Sequence, residues 1–312
     1  MNDPFQTNAQ TGHETSTSGI LEEAFRLRRS NRETATHFVL CKGAKLRFLI
    51  HLNGGYPFLK RTVTSYGGKM SLFLKLLHYI PYPLLAKCGF GYYAHAELHP
   101  GIADCVPDEH NWNALIGTYS DRQKIVFQCF PRSGKTPGIY IKVGNERSEE
   151  QMQTEIRFLQ QHGDYRHIAL PKLLNAKLRS GDFPFNVLVT EEFSGEKVPP
   201  VLTPEIYALY RELSAESITI GNQQLVRSHG DFAPWNIRRQ GDRHMLFDWE
   251  FCGWRPRGYD LVHFLTIVGM NLQHKTFSDA YDEALSVVHT YEPDITMDKE
   301  AFYREFTKLM QF

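Results

Sequence analysis

The chain has 312 residues, enough for one large domain or two smaller ones built around a sizeable core. Lysine plus arginine number 35, as do aspartate plus glutamate, so the net charge is zero and no overall basic field would hold a nucleic acid. The five cysteines are scattered without a C-x-x-C pair, which argues against a disulfide framework or a structural zinc site and favours a reducing compartment.

The N-terminal part of the sequence predicts neither export nor a membrane span. Residues 1–19 are polar and lack the basic start and apolar run of a signal peptide, so we expect a disordered tail. The most apolar stretch, SLFLKLLHYIPYPLLAKCGF, is interrupted by charged residues and by Pro81 and Pro83, so it cannot cross a bilayer as one clean helix. We therefore expect a cytoplasmic protein without a transmembrane segment.

Residues 20–110 predict a few elements of an N-terminal extension whose role the sequence does not indicate. The stretch ILEEAFRLRRS, residues 20–30, has the pattern of a short amphipathic helix. THFVLCKGAKLRFLIHL predicts two strands joined by a turn at Gly43. Helical spacing of apolar residues predicts a further helix over 69–77, which Pro81 would end.

From Trp112 onward the sequence predicts an α+β fold. WNALIGTYS, KIVFQCFPR and GIYIKVG predict three consecutive strands, NERSEEQMQTEIRFLQQHG predicts a helix, and LPKLLNAKL and FNVLVTEEF predict two more strands. Helices are then expected around 204–214, 259–272 and 278–289. This order predicts a small antiparallel-sheet lobe over 111–192 and a mainly helical lobe over 193–312, with a ligand cleft between them.

One acidic segment of the helical lobe carries the strongest chemical signal. The stretch SHGDFAPWNIRRQGDRHMLFDWEF brings Asp231, Asn236 and Asp248 close together in sequence, in an H-G-D-x-x-x-x-N pattern followed by a strand ending in an aspartate. Crowded carboxylates raise the free energy unless a cation lies among them. Phosphoryl transfer needs one carboxylate to orient the acceptor hydroxyl, and a carboxamide and a second carboxylate to hold Mg²⁺.

This segment resembles the catalytic segment of the aminoglycoside phosphotransferase and choline kinase family, which has a two-lobed protein-kinase-like fold. The resemblance implies that Asp231 is the catalytic carboxylate and that Asn236 and Asp248 are the Mg²⁺ ligands. It further implies a structural role for His229, and it implies that Asp260, in GYDLVHF, anchors the catalytic loop.

The resemblance also assigns residues of the sheet lobe that would bind ATP. Lys142, near the end of the strand GIYIKVG, would contact the α- and β-phosphates. Glu155, in the following helix, would hold this lysine in position. A strand-end lysine and a solvated helix glutamate are the ordinary alternatives, and Glu149 and Glu150 are nearby candidates for the same partner role.

Two further nucleotide contacts follow from the same resemblance. Glu191, Glu192 and Phe193 in VLVTEEF would form the hinge that holds the adenine. Gly117 and Thr118, between the first two strands, would cover the phosphates. This loop, GTYSDRQ, has a single glycine and departs from the G-x-G-x-x-G pattern. The sequence therefore does not determine how the loop contacts the phosphates.

Several residues near the site keep both a functional and an ordinary interpretation. Asp231, Asn236 and Asp248 are residue types common in turns, although they occur here together with the upstream lysine and glutamate. Glu250 would either add a metal contact or face water. The cluster around Arg255 and Arg257 would either dock an anionic or sugar acceptor or form a solvated loop.

Together these features predict an ATP- and Mg²⁺-dependent phosphotransferase acting on a hydroxyl of a small molecule or carbohydrate, including a cell-envelope glycan. No D-F-G or A-P-E motif follows the strand, which argues against a protein kinase. The alternative is a non-catalytic, pseudokinase-like scaffold in which residues 20–110 bind a partner.

Overall fold

The computed structural model of the chain describes residues 19–43, 45–55, 57, 80–133, 138–163 and 165–310. Its helices are α1 (Gly19–Ala24), α2 (Tyr82–Lys87), α3 (Pro100–Ala103), α4 (Glu149–Gln161), α5 (Pro204–Leu213), α6 (Tyr259–Gln273), α7 (Phe277–Tyr291) and α8 (Lys299–Met310). Its strands are β1 (Phe25–Arg29), β2 (His37–Lys42), β3 (Lys45–His51), β4 (Gly91–Leu98), β5 (His110–Ile116), β6 (Lys124–Pro131), β7 (Ile139–Gly144), β8 (Ile168–Ala169), β9 (Leu173–Lys177), β10 (Asn186–Glu191), β11 (Glu196–Lys197), β12 (Ser217–Ile220), β13 (Gln223–Ser228), β14 (Ile237–Gln240), β15 (Arg243–Leu246) and β16 (Gly253–Pro256).

The chain divides into two units, and the first is built on one large sheet. This unit comprises the described residues up to Glu149 together with Leu174–Glu192. Its sheet has nine strands in the order β1-β4-β2-β3-β5-β6-β7-β10-β9, and the pairings from β1 to β10 are all antiparallel. The strands predicted as β5, β6, β7 and β10 therefore lie side by side in it.

The N-terminal strands belong to this same sheet. Strand β3 pairs with β5, with Phe48 opposite Leu115 and Leu49 opposite Ala114. The boundary expected between residues 110 and 111 thus falls inside a continuous sheet. The predicted turn at Gly43 does join β2 to β3.

One N-terminal prediction is wrong. Residues 20–30 do not form a single helix, because α1 ends at Ala24 and Phe25–Arg29 forms the edge strand β1. Strand β1 pairs along its whole length with β4, from Phe25 opposite Leu98 to Arg29 opposite Ala94. Pairing with a strand far along the chain satisfies the backbone groups and overrides the local helical spacing.

The sheet of the first unit has apolar clusters on both faces. Val39 and Leu49 from the N-terminal strands share one cluster with Phe127 and Ile141 from β6 and β7. Successive residues of a strand point to opposite faces of the sheet, and Phe38, next to Val39, belongs to a second cluster on the other face, which α2 covers. Residues 69–77, predicted to be helical, lie outside the described residues, and the proline expected to end that helix instead precedes α2.

The second unit comprises Glu150–Leu173 and the described residues from Phe193 onward. It contains α4 from Glu150 onward, the helices α5 to α8 and two small sheets, in the orders β11-β14-β15-β8 and β12-β13-β16. The helices expected at 204–214, 259–272 and 278–289 are present, whereas β12 and β16 were not predicted. An antiparallel-sheet unit and a mainly helical unit confirm the predicted α+β class. Within the described part of the chain, no helix is long and apolar enough to span a membrane.

Candidate functional site

The loop that follows β13 is held by a buried carboxylate at the start of α6. Asp260 is 2% exposed. Its Oδ1 accepts hydrogen bonds from Ser228 Oγ (2.7 Å) and Gly230 N (3.1 Å), and its Oδ2 accepts one from His229 N (2.8 Å). Three bonds to one ionised group fix the backbone where the loop begins. This is the anchoring arrangement that the resemblance implies for Asp260.

Asp231 follows directly, and Asn236 holds its carboxylate. The Asn236 amide nitrogen donates to the Asp231 carbonyl oxygen and to Asp231 Oδ2, each at 2.9 Å. The remaining amide oxygen of Asn236 is the atom of this side chain that could bind a metal. Burial, and secondly the charge of Asp248, raise the pKa of Asp231 to about 7.

A short hairpin places Asp248 beside this pair. Strand β14 begins directly after Asn236 and pairs with β15, and the Phe247 N–H donates to the Asn236 carbonyl at 3.2 Å. Asp248 follows with φ of 72°, in the left-handed region that residues other than glycine seldom adopt. Such strain is characteristic of functional sites.

Asp248 is part of a cluster of three carboxylates. One carboxylate oxygen from each of Glu155, Asp248 and Glu250 lies within 4.8 Å of the others. Glu155 is 3% exposed and accepts a hydrogen bond from Trp249 N at 3.3 Å. The cluster therefore brings α4 against the segment after β15. Oxygen ligands of this kind, with the Asn236 amide oxygen, fit a hard cation such as Mg²⁺.

Lys142 lies in the first unit, on β7, where it pairs with Val126 on β6 and Leu188 on β10. Glu155 belongs to the second unit. The pairing of these two side chains therefore stays a prediction, and the same holds for the phosphate contacts of Lys142.

The predicted hinge residues follow the end of β10. Glu192 is bonded to Gly138 twice, since its N–H donates to the Gly138 carbonyl at 2.8 Å and its Oε2 accepts from Gly138 N at 2.9 Å. Phe193 packs against Phe247, with ring centroids 4.9 Å apart. The chain passes between the two units at Glu192 and Phe193, directly after Glu191 ends β10. Their contact with adenine stays a prediction.

The predicted phosphate loop is the turn between β5 and β6. Gly117 N donates to the Lys124 carbonyl at 3.0 Å, and a Cβ at Gly117 would lie only 2.7 Å from that oxygen. The glycine is therefore required by the close approach within the hairpin itself. Thr118 is exposed beside it, and phosphate binding by both residues stays a prediction.

One histidine at the candidate site was not predicted from the sequence. His263 on α6 is 1% exposed, and its Nε2 lies 3.7 Å from Asp231 Oδ1 while its Nδ1 is hydrogen-bonded to the Phe232 carbonyl at 3.2 Å. Burial lowers the pKa of His263 to about 4, so the ring is neutral near pH 7. Its position three residues after Asp260, one helical turn along, is the signal that could have revealed it.

Residues 193–298 match APH, the phosphotransferase enzyme family. The resemblance to the aminoglycoside phosphotransferase family is confirmed. The APH match covers about a third of the chain and includes Asp231, Asn236, Asp248, Asp260 and His263. It supports a phosphotransferase. No sequence among curated proteins matches the chain.

Three solved structures, of two phosphotransferases and one kinase, are similar to the chain. An aminoglycoside-3'-phosphotransferase of type VIII is 14% identical, with 66% of this chain and 96% of the other covered and a TM-score of 0.46. An amicoumacin kinase in complex with AMP-PNP and Ca²⁺ is 13% identical, with 62% and 74% covered and a TM-score of 0.37. A spectinomycin phosphotransferase in complex with ADP and spectinomycin is 13% identical, with 64% and 80% covered and a TM-score of 0.40.

Proposed function

We propose that the chain is an ATP- and Mg²⁺-dependent phosphotransferase that acts on a hydroxyl of a small molecule or carbohydrate in the cytoplasm. ATP and Mg²⁺ are the nucleotide and metal expected of the matched family. The observation that carries the proposal is the loop in which Asp260 fixes the backbone while Asn236 holds the carboxylate of Asp231.

Asp231 is the proposed catalytic carboxylate. With its pKa raised to about 7, this group can accept a proton from an acceptor hydroxyl near neutral pH. The bond from Asn236 orients the carboxylate, and positioning of this kind supplies much of the rate enhancement in phosphoryl transfer. Asp231 would orient the hydroxyl in line with the γ-phosphate. It would take up the hydroxyl proton as the new P–O bond forms and the bond from the γ-phosphorus to the leaving ADP breaks.

Asn236 and Asp248 are the proposed metal ligands. A bound Mg²⁺ would supply positive charge against the phosphates and against the crowded carboxylates. The closeness of Glu155 and Glu250 to Asp248 supports a cation at this point. Lys142 is proposed to bind the α- and β-phosphates with Glu155 as its partner.

The remaining nucleotide contacts and the acceptor are proposed from the sequence. Glu191, Glu192 and Phe193 are proposed to hold the adenine, and Gly117 and Thr118 to lie over the phosphates. A small molecule or carbohydrate, including a cell-envelope glycan, is the proposed acceptor because the D-F-G and A-P-E motifs of a peptide-binding activation segment are absent from the sequence.

Transfer of label from γ-labelled ATP tests the proposal. Small-molecule, lipid and glycan, and protein fractions of the source cell would be incubated separately with the wild-type chain, Asp231→Asn and Asp242→Asn. Asp242 is an exposed residue of the turn between β14 and β15 and serves as the matched control. We expect a labelled small molecule or glycan with the wild type and the control, and none with Asp231→Asn. A product that persists with Asp231→Asn would contradict the assignment, and the absence of both ATP binding and product would favour the scaffold.

A further inference from the structure

The second unit contains a cavity of about 640 Å³ at the N-terminal end of α6. It lies among β13, β16, the start of α6 and the segment joining α7 to α8. Its volume is within the range of roughly 300–1,000 Å³ that small-molecule sites occupy. The polar side chains that matter for its chemistry are Arg255, Arg257, Tyr259 and Glu292, and Ile295 and Phe302 add apolar wall.

Two buried donors of this lining lack acceptors. Tyr259 is 3% exposed, and in the part of the chain that the structure describes its hydroxyl has no hydrogen-bond partner. The Nε of Arg255 is also buried, again without a partner among the described residues. A buried donor left unpaired costs about 1–3 kcal/mol, so native proteins retain few of them. A ligand in the cavity would remove this cost if it brought an acceptor into contact with these two atoms.

The guanidinium of Arg255 is held beside the tyrosine by neutral groups. Its Nη1 donates to the Phe251 carbonyl at 2.9 Å and approaches Ser228 Oγ at 3.4 Å. Its Cζ lies 4.9 Å from the centre of the Tyr259 ring. None of these three contacts is made directly with a carboxylate, although Asp260 lies beyond the Ser228 hydroxyl.

The four carboxylates of the lining already have partners or face solvent. Glu305 is paired with Lys308, and its side chain is 45% exposed. Glu292 is 7% exposed and already accepts from Tyr207 (2.7 Å) and Arg211 (3.0 Å) while it is paired with Arg257. Asp298 caps α8 by accepting from Ala301 N at 2.6 Å. Asp294, like Asp298, is exposed, so water and salt screen its charge.

We propose that this cavity binds the oxyanion of a small ligand, a phosphoryl or carboxylate group, through Arg255, Arg257 and the hydroxyl of Tyr259. Binding of the anion does not depend on the proposed phosphotransfer, whereas the identity of the anion as the acceptor rests on it. The cavity is connected to the loop that carries Asp231. Tyr259 directly precedes Asp260, and the Ser228 hydroxyl that Arg255 approaches donates to Asp260. The ligand is either the acceptor, carrying its own anionic group, or a separate anion that modulates the loop.

Titration calorimetry on the full chain tests the proposal with inorganic phosphate, glucose 6-phosphate and glucuronate, and with glucose as the uncharged control. Tyr259→Phe removes only an unpartnered hydroxyl, so the fold should be at least as stable as the wild type. Tyr165→Phe is its control, because the Tyr165 hydroxyl donates to Glu216 at 2.6 Å, apart from the cavity.

Arg257→Gln and Arg211→Gln form a second matched pair. Both arginines are paired with Glu292 and their side chains are 54% and 53% exposed, but only Arg257 lines the cavity. If both variants bind the anion more weakly, the effect comes from breaking the ion pair with Glu292. If only Arg257→Gln binds it more weakly, Arg257 contacts the anion in the cavity.

We expect at least one of the three anions to bind with 1:1 stoichiometry, and glucose to bind at least tenfold more weakly. The affinity should fall at least tenfold in Tyr259→Phe and Arg257→Gln and change less than twofold in the two controls. No binding of any anion, equal affinity for glucose, or an affinity unaffected in Tyr259→Phe and Arg257→Gln would overturn the proposal. The last result would place the anion elsewhere, for instance at the nucleotide site.

The transfer assay then separates the two sources of the anion. Label incorporated into the bound anion would identify it as the acceptor. A changed rate of transfer to another acceptor, without label in the anion, would identify it as an effector. If no acceptor of any kind is labelled, the phosphotransfer proposal fails. The calorimetric result still shows whether the cavity binds an anion.

Discussion

Asp248 combines two unfavourable features at one position. Its φ of 72° is strained for a residue other than glycine, at a cost of roughly 1–3 kcal/mol, although aspartate and asparagine tolerate it better than most. Its carboxylate also lies within 4.8 Å of those of Glu155 and Glu250, which adds repulsion. A cation bound at this point would offset the repulsion, so the arrangement makes physical sense as a metal site.

The substitution Asp248→Asn should separate stability from activity. It removes one of three crowded charges and keeps a side chain that tolerates positive φ, so the free energy of unfolding without metal should rise by about 1 kcal/mol. The stabilisation by Mg²⁺ and the transfer of phosphate should both be lost. Urea unfolding with and without Mg²⁺ measures this. A metal-dependent shift as large as that of the wild type would contradict the assignment of Asp248.

Asp260→Asn should destabilise the fold and the loop together. The substitution replaces an ionised acceptor of three hydrogen bonds by an amide, whose NH₂ group faces donors, and we expect a loss of about 3 kcal/mol. Asp282→Asn is the control, since this exposed residue pairs only at the surface with Lys299. Its effect should be within about 0.5 kcal/mol. Equal losses in urea unfolding would argue against the anchoring role.

Some site residues were accessible from the sequence because the chain itself brings them together. Asp231, Asn236 and Asp248 lie on one loop and the hairpin that follows it, so their proximity is set by local structure. The contact of Glu155 with the segment around Trp249 depends on how α4 packs, 94 residues earlier in the chain. No local pattern encodes such packing, and Glu250 was accordingly left open.

At the scale of elements, the best predictions concern strands whose alternation is clear and helices with strong apolar spacing. Strands β5 to β7 and helices α4 to α7 belong to this group. Strands β1, β12 and β16, which were among those missed, have only four or five residues, most of them at least partly exposed. The longer strands β4 and β13 were not predicted either. Short strands form because a partner strand pairs with them, and β1 forms through its pairing with β4.

Strand β2 carries a buried histidine that makes stability depend on pH. His37 is 1% exposed, its Nε2 is bonded to the Trp112 carbonyl at 2.9 Å, and its ring lies 4.1 Å from that of Trp112. Burial first, and the charge of His51 second, lower its pKa from 6.5 to about 3. The folded protein therefore resists protonation at a pH where the unfolded chain accepts a proton.

This histidine should weaken the fold as the pH falls. Above pH 6.5 His37 is neutral in both states and does not lower the free energy of unfolding. Between pH 6.5 and about 3 the unfolded chain binds the proton and the folded protein does not, so the free energy of unfolding falls by up to about 1.4 kcal/mol per pH unit. Urea unfolding at pH 7.5, 6 and 5 would measure the slope. His37→Gln should reduce the slope, whereas His274→Asn, at an exposed residue of the second unit, should leave it unchanged. The same slope in all three proteins would refute the prediction.

At the scale of the whole molecule, the N-terminal strands form one sheet with the strands that follow. Deletion of residues 1–107 would remove β3 from the edge of β5 and uncover apolar residues on both faces of the sheet. We expect the shortened chain to aggregate instead of folding, measured by its yield after centrifugation and by circular dichroism. Deletion of residues 1–18, which lie within the predicted disordered tail 1–19 and stop short of α1, is the control. A folded, ATP-binding 108–312 fragment would show that the extension is separable.

The change of character at Trp112 suggested a boundary that the sheet crosses. The run HFVLC in β2 argues against this boundary. Continuous apolar residues indicate a strand that is covered on both faces, and such a strand lies in the interior of a larger sheet. The partner of such a strand is not encoded locally. The pairing of β3 with β5 spans a long separation in sequence, and this is why composition alone misplaced the boundary.

The order of the nine strands determines how long a strand waits for its partner during synthesis on the ribosome. Strand β3 begins at Lys45, but its neighbour β5 begins at His110, so the growing chain carries an unpaired apolar edge while the residues between them are made. At about 5–20 residues per second this interval lasts roughly 3–13 s. Slower elongation prolongs it, and a host that translates this stretch slowly or lacks chaperones on nascent chains will lose more product to aggregation before the first turnover is possible.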